Sequence, residues 1–295
     1  MIKRLLLAGA LLGASAGAAA VEIAATTSSM GALARAVGGD AVSVTVMAPP
    51  DRDVHHLEAR PSMMRDLRRA DLVVAVGAEL EEGWLPAALS RAHNPDVRVG
   101  TRGYFEAAAQ VDLLDAGGAA DRAQGDVHPT GNPHVNMDPV RMQTVATALA
   151  ERLGELDEAN RETYRDNAEA FRTAVDARLD DWRDRLADAP GVVLYHKDAD
   201  YLMHRFDVPI HGYVEPLPGI PPTARHLRDL IGELEGVAGG VVLRTEYQAS
   251  RGPERVAEAL GWPHHGLPLD PPVDATTEDY LDTLEMWIDA VATGA

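Results

Sequence analysis

The sequence predicts an α/β protein of two lobes, each built around a mostly parallel sheet and bridged by one long rigid helix. Three observations predict it. Short β-like runs alternate with helical stretches over residues 21–103, and the same grammar returns over residues 192–290. Between them lies a segment with no strand signal, where Tyr164, Ala168, Phe171, Val175, Leu179, Trp182 and Leu186 recur at steps of three and four and make one helical face apolar.

Taken in order, the first lobe reads as the strand VEIAATTS, the helix MGALARAVGG, the strand VSVTVMAP, the loop PPDRDVHHLEARP, the helix MMRDLRRA and the apolar strand DLVVAVG. Residues 113–133 are rich in Gly, Asp and Ala and have no period, which predicts an exposed, mobile loop. Asp138 and Pro139 read as an N-cap followed by proline in a first helical turn. The bridging helix is expected over residues 158–189, ended by Pro190 and Gly191. The second lobe then continues as the strand VVLYHKD, the strand PIHGYVE, the helix TARHLRDLIGELEG, the strand GGVVLRTE, the helix ERVAEALG and the terminal helix DYLDTLEMWIDAVA. The predicted division is a signal peptide at 1–20, an N-terminal lobe at 21–157, the linking helix at 158–189 and a C-terminal lobe at 190–295.

Composition narrows the function. Of 295 residues, 46% are hydrophobic and 25% charged, enough apolar content for one large or two medium cores. The net charge of -19 disfavours nucleic acid and anionic lipid headgroups as partners and favours a cation. Residues 1–20, MIKRLLLAGALLGASAGAAA, set Lys3 and Arg4 before an apolar run and close on small residues, the pattern of a secretory signal peptide cleaved near Ala20 and Val21. Cysteine is absent, so neither a lipid anchor on cysteine, a disulfide nor a thiolate metal site is expected. These features place the expected protein in the periplasm, exported and not membrane-anchored.

Four settings carry chemistry-bearing side chains where a strand gives way to a loop or helix, the usual place for a binding site on an α/β scaffold. They are Asp53-Val54-His55-His56; Asn132-Pro133-His134 ahead of Asp138; His196 at the end of the strand at 192–194; and Asp270 in Leu269-Asp270-Pro271. Each also fits a bland reading by pattern alone: an exposed loop pair, a turn histidine bonded to backbone, a core histidine, a turn-forming aspartate. Local motifs of a metalloprotease, nucleophile elbow, P-loop or dinucleotide fold are absent.

The order of these segments resembles the zinc- and manganese-type solute-binding proteins of bacterial ABC importers, over nearly the whole chain after residue 20. The family pattern "DpHxxEpxPsd" ahead of "ADLvvxnGxxxExWl" is matched by DVHHLEARPS and ADLVVAVGAELEEGWLP; aligned on Glu58 and Pro61, its ligand falls on His55. "npHxWxdP" is matched by NPHVNMDP at His134, and "vxyHdaxxYlxxryg" by LYHKDADYLMHRFD at His196. A late pattern is matched by TEYQASRGPERVAEALG, which contains Glu246, and the family's last ligand, in "lDp", falls on Asp270. Asn136 departs from the family's common aromatic, and the loop ahead of His134 holds only His128 where many zinc members carry many histidines.

The resemblance implies two α/β lobes with one tight metal site in the cleft between them, held by His55, His134, His196 and Asp270. It implies capture of Zn2+ and delivery to an ABC permease membrane subunit, with manganese or iron carriage as the alternative within the family. Three imidazoles and one carboxylate suit zinc better than manganese, which prefers more oxygen ligands. His56, His128 and Glu246 are secondary or transfer candidates, a periplasmic zinc metallochaperone is a candidate donor, and a monomer is expected. No catalytic residue and no resident cofactor is expected; an exported zinc hydrolase is the rival reading, and a fourth protein ligand argues against it by closing the coordination sphere. Affinity is expected to fall as histidines protonate, below about pH 6.5.

Overall fold

A computed structural model describes residues 20–117 and 128–294, so the predicted signal peptide lies outside the described residues save for Ala20, as does the middle of the 113–133 loop. Two four-stranded sheets organise the chain. The first consists of β1 (Val21–Ala25), β2 (Val42–Val46), β3 (Leu72–Ala75) and β4 (Tyr104–Glu106), the second of β5 (Val192–Leu194), β6 (Ile210–Tyr213), β7 (Val241–Thr245) and β8 (His264–Leu267). Their spatial orders are β2-β1-β3-β4 and β6-β5-β7-β8, and all their strand pairings are parallel. The two lobes thus repeat one topology, and in each the order reverses beside the first strand, so a crevice opens past the carboxyl ends of β1 and β3, and of β5 and β7.

The inner strands β3 and β5 are short apolar runs because they are covered on both faces, every residue being buried, whereas the edge strand β2 alternates half-buried valines with exposed Ser43 and Thr45. In the first lobe, α1 (Ser28–Gly38), α2 (Pro61–Arg69), α3 (Leu85–Ala92) and α4 (Pro139–Leu156) accompany the sheet; in the second, α6 (Asp200–Arg205), α7 (Ala224–Leu234), α8 (Arg251–Leu260) and α9 (Thr277–Ala292) do so. The bridge is α5 (Arg161–Leu186). Its apolar face largely follows the periodicity, with Tyr164, Ala168, Phe171, Val175, Trp182 and Leu186 buried and Leu179 half-buried against the core. It starts three residues later than expected, after a separate turn at Glu158–Asn160, and it ends at Leu186 rather than 189. Trp182 Nε1 and the guanidinium groups of Arg178 and Arg185 converge on Glu285 of α9, which fixes the last helix along the bridge.

Four elements went unforeseen by pattern: α3, β4, α6 and most of β8. The loop at 113–133 is also more ordered at its end than composition suggests, because Gly131, Asn132 and Pro133 are buried. Asn132 N–H donates to the Leu114 carbonyl at 2.8 Å, and the Tyr201 hydroxyl donates to the Asn132 carbonyl at 2.6 Å. Among the described residues, no helix is long and apolar enough to cross a membrane.

Candidate metal centre

The three predicted histidines come from three separate segments and meet at the crevice. His55 lies in a single helical turn, Val54–His56, past the end of β2. Asp53 caps that turn, accepting from the His55 N–H at 2.9 Å, while Trp84 holds it from below by donating Nε1–H to the Val54 carbonyl at 3.1 Å. Trp84 is fully buried, so the indole that holds the turn is itself fixed in the core. Gly83 makes room, since a Cβ there would stand 3.1 Å from the His55 carbonyl oxygen.

His134 directly precedes the turn Val135–Met137 and then α4, whose N-cap Asp138 accepts from Val140 N–H at 2.9 Å and Arg141 N–H at 3.2 Å. The Asn132 side chain spans the crevice beside it: Oδ1 accepts from His134 N–H at 3.0 Å, and Nδ2 donates to the Lys197 carbonyl at 2.9 Å. His134 and the residue after His196 therefore share one amide. His196 itself leaves the end of β5 just before the turn Lys197–Ala199.

One nitrogen from each of His55, His134 and His196 lies within 4.8 Å of the other two, a grouping able to hold a metal ion. Which nitrogens face inward follows from the surroundings. His55 Nδ1 is 2.8 Å from Asp53 Oδ1, and His196 Nδ1 is 2.9 Å from Glu215 Oε2, so in both rings Nε2 is the nitrogen that can turn to an ion, that of His55 by giving up its contact with His128. His134 Nε2 is buried without a hydrogen-bond partner. An unpaired buried ring nitrogen costs free energy unless something binds it, and a cation at this point would do so.

Charge in the site is arranged around that vacancy of partners. Burial pushes the His134 imidazole well below its ordinary value, and repulsion from His55, His196 and His128 adds to this, so its lone pair is available at neutral pH. For His196 burial also acts downward, but Asp198 and Glu215 outweigh it and lift the ring to about 9. For Asp53 burial acts upward and the bonds and charge of His55 prevail, holding the carboxyl at about 2. A cavity of about 590 Å³ leads to the site, bordered by Asp53, His55, His56, His196, Asp198 and Glu215 among others.

Asp270, the fourth residue expected at the metal, stands outside the three-histidine group. It sits at the first turn of α1, where its Oδ1 accepts from Ser29 N–H at 2.9 Å and Ser29 Oγ–H at 2.5 Å. Burial raises its carboxyl, and the Ser29 bonds pull it back. Asn136, the departure from the family aromatic, braces this arrangement with Nδ2 at 3.4 Å from both Ser29 Oγ and the Leu269 carbonyl. Among the secondary candidates, His128 Nε2 is 3.1 Å from His55 Nε2, and His56 is an exposed ring 3.8 Å from Asp53 Oδ2. The side chain of Glu246 is exposed, and its backbone N–H donates to the Leu267 carbonyl. Sequence pattern gave no signal for Glu215, and it placed Asp198, Gln248 and Asn132 inside matched segments without giving them a role.

The profile of the family described as zinc-uptake complex component A, periplasmic (ZnuA), matches residues 23–294. The chain belongs to this family. Family membership agrees with the fold: a crystal structure of ZnuA superposes with a TM-score of 0.74 at 20% identity, covering 92% of this chain and 99% of that one. The solute-binding protein FpvC of Pseudomonas aeruginosa, solved in complex with Mn2+, superposes with a TM-score of 0.78 at 24% identity, covering 92% of this chain and 97% of its own. By sequence, the metal ABC transporter substrate-binding lipoprotein ScbA of Streptococcus cristatus is 24% identical over 178 residues, 59% of this chain and 54% of ScbA. The chain thus spans about half the length of the curated relatives it matches.

Proposed function

We propose that this chain is a periplasmic carrier that captures one divalent metal ion, zinc, in the crevice and delivers it to the membrane permease of an ABC importer. The observation that carries the reading is the convergence of His55, His134 and His196, with two of the rings oriented by carboxylates on their far nitrogens. Nothing in such a site needs bond chemistry: three neutral imidazoles and a carboxylate close a four-coordinate sphere, and release follows when the segments carrying them are drawn apart. The family resemblance assigns the carboxylate to Asp270, whose Oδ1 holds Ser29. The acidic balance of the chain raises the local concentration of cations and suits docking on basic permease loops. Action as a monomer, and loading by a metallochaperone rather than by a histidine-rich loop, complete the proposal.

Zinc is preferred because imidazole nitrogen outnumbers carboxylate oxygen among the converging groups. Manganese is the second reading, favoured by the buried carboxylates of Asp198 and Asp270 beside the histidines and by the Mn2+ found in FpvC. Competition titration of the metal-free protein with both ions tests the choice. One zinc per chain that a hundredfold excess of manganese, an order-of-magnitude criterion for separating the two ions, leaves in place supports a zinc carrier (about 2.7 kcal/mol of preference); displacement by manganese at that excess contradicts it.

A further inference from the structure

We propose that Asp198, rather than Asp270, supplies the carboxylate that completes the metal sphere in this chain; the inference rests on the three-histidine reading above and assigns its fourth place. Asp198 is buried, 3% exposed, and follows His196 by two residues in the turn Lys197–Ala199. One of its oxygens, Oδ2, is held from behind by Gln248 Nε2–H at 2.6 Å. Gln248 is itself fixed, because its Oε1 accepts from Thr245 N–H at 2.9 Å at the end of β7. The other oxygen, Oδ1, lies 3.8 Å from His134 Nε2.

That separation is too long for a hydrogen bond, and neither atom makes one: His134 Nε2 has no partner, and Oδ1 takes no hydrogen bond among the described residues. A buried, unpartnered ring nitrogen facing a carboxylate oxygen across such a gap is an arrangement an intervening cation stabilises. Zinc bonds of about 2.0–2.2 Å to nitrogen and oxygen set tetrahedral ligand atoms about 3.3–3.5 Å apart, so a few tenths of an ångström of contraction brings this pair to ligand spacing. Asp198, like Asp270, stands outside the three-histidine grouping, so its turn must move further toward His55 and His196 as the ion binds. Ligating carboxylates are in turn hydrogen-bonded on their far oxygen, which is the part Gln248 plays here.

Asp270 is committed elsewhere. Its Oδ1 accepts two bonds from Ser29 at the N-terminus of α1, and Asn136 braces the same turn through Ser29 Oγ and the Leu269 carbonyl. Among the described residues its oxygens make no ion pair with the three histidines, whereas Asp198 Oδ1 already faces His134 Nε2. Asp198 keeps its Gln248 bond on binding and lines the larger cavity with His55 and His196, while Asp270 lines a small pocket beside His55 and His134.

The test compares Asp198→Asn, Asp270→Asn and His134→Ala in full-length mature protein, with zinc affinity read by competition against a chromophoric chelator and fold checked by circular dichroism of the metal-free forms. Asparagine keeps an oxygen for Gln248 while removing the charge. Asp198→Asn is expected to weaken zinc by more than the 10–100-fold typical of groups behind a ligand, and Asp270→Asn by less than about tenfold. Undiminished affinity in Asp198→Asn, or a larger loss in Asp270→Asn, overturns the assignment while a loss in His134→Ala leaves the three-histidine reading standing. Undiminished affinity in His134→Ala overturns both. Should Asp198→Asn not fold, Gln248→Ala serves in its place: a loss of roughly 10–100-fold is expected, and no loss overturns the proposal.

Discussion

Arg205 reaches from α6 in the second lobe to Asp138 at the start of α4 in the first, with Nε 3.0 Å from Oδ1 and Nη2 2.7 Å from Oδ2. This two-pronged pair joins the segment that follows His196 to the segment that follows His134. Asp138 is fully buried and is also bound by Arg141, so its charge depends on both arginines. Arg205→Ala leaves that carboxylate half-compensated. We expect a loss of about 2–3 kcal/mol of stability, discounted from a fully buried pair because the arginine is partly exposed, together with weaker metal binding. Chemical denaturation of the metal-free variant checks the first, and an unchanged midpoint would show that the pair contributes nothing.

The carboxylates behind the histidines should matter to affinity without touching the ion. Asp53→Asn and Glu215→Gln each remove the charge that orients Nδ1 of a ligand ring. Each is expected to weaken zinc by about 10–100-fold. Affinities within twofold of the unsubstituted protein, on that same order-of-magnitude scale, would mean that the rings are oriented by packing alone.

Metal binding should release a proton at neutral pH. In the metal-free protein His196 is lifted to about 9, so at pH 7 it is protonated and the ion must displace that proton; His134, held well below its ordinary value, contributes none. Apparent affinity therefore rises with pH until about 9 and falls by nearly tenfold for each unit below it. The window lies higher than the pH of about 6.5 that unperturbed histidines imply. Calorimetric titrations in buffers of different ionisation enthalpy report the proton count, and zero protons released at pH 7.5, chosen as roughly midway between the ordinary histidine range and the lifted value, would contradict this account of His196.

Asn132 offers a sharper probe of how the two lobes set the site. Its amide joins His134 N–H to the Lys197 carbonyl. Asn132→Asp keeps the acceptor and loses the donor, so the His196 side is freed while the His134 side is retained. We expect zinc affinity to fall by roughly tenfold or more, an order typical of changes just behind the ligands. A crystal structure of the variant with His196 unmoved would count against the role assigned to that amide.

Much of this was legible in the sequence for physical reasons. Strands covered on both faces are continuous apolar runs, so β1, β3, β5 and β7 stood out, and the 3.6-residue period exposed α5. β4 escaped because three residues, Tyr104, Phe105 and Glu106, are too few to show alternation. His55, His134 and His196 were visible because each stands where an element ends. Glu215 was not: it reaches His196 only because β6 pairs in parallel with β5, setting Tyr213 beside Leu194, and no local pattern encodes that register. Asp198 was read only as part of the segment around His196, since burial and the contact with Gln248 arise from tertiary packing. Asp270 was legible as a residue at the crevice but not as a partner of Ser29, 241 positions away.

The most direct test of the central claim is anomalous diffraction at the zinc edge from crystals of the zinc-loaded protein. The account predicts one strong peak per chain in the crevice, about 2.0–2.1 Å from Nε2 of His55, His134 and His196. A crevice without a peak, or a peak held by other residues at the surface, would contradict it.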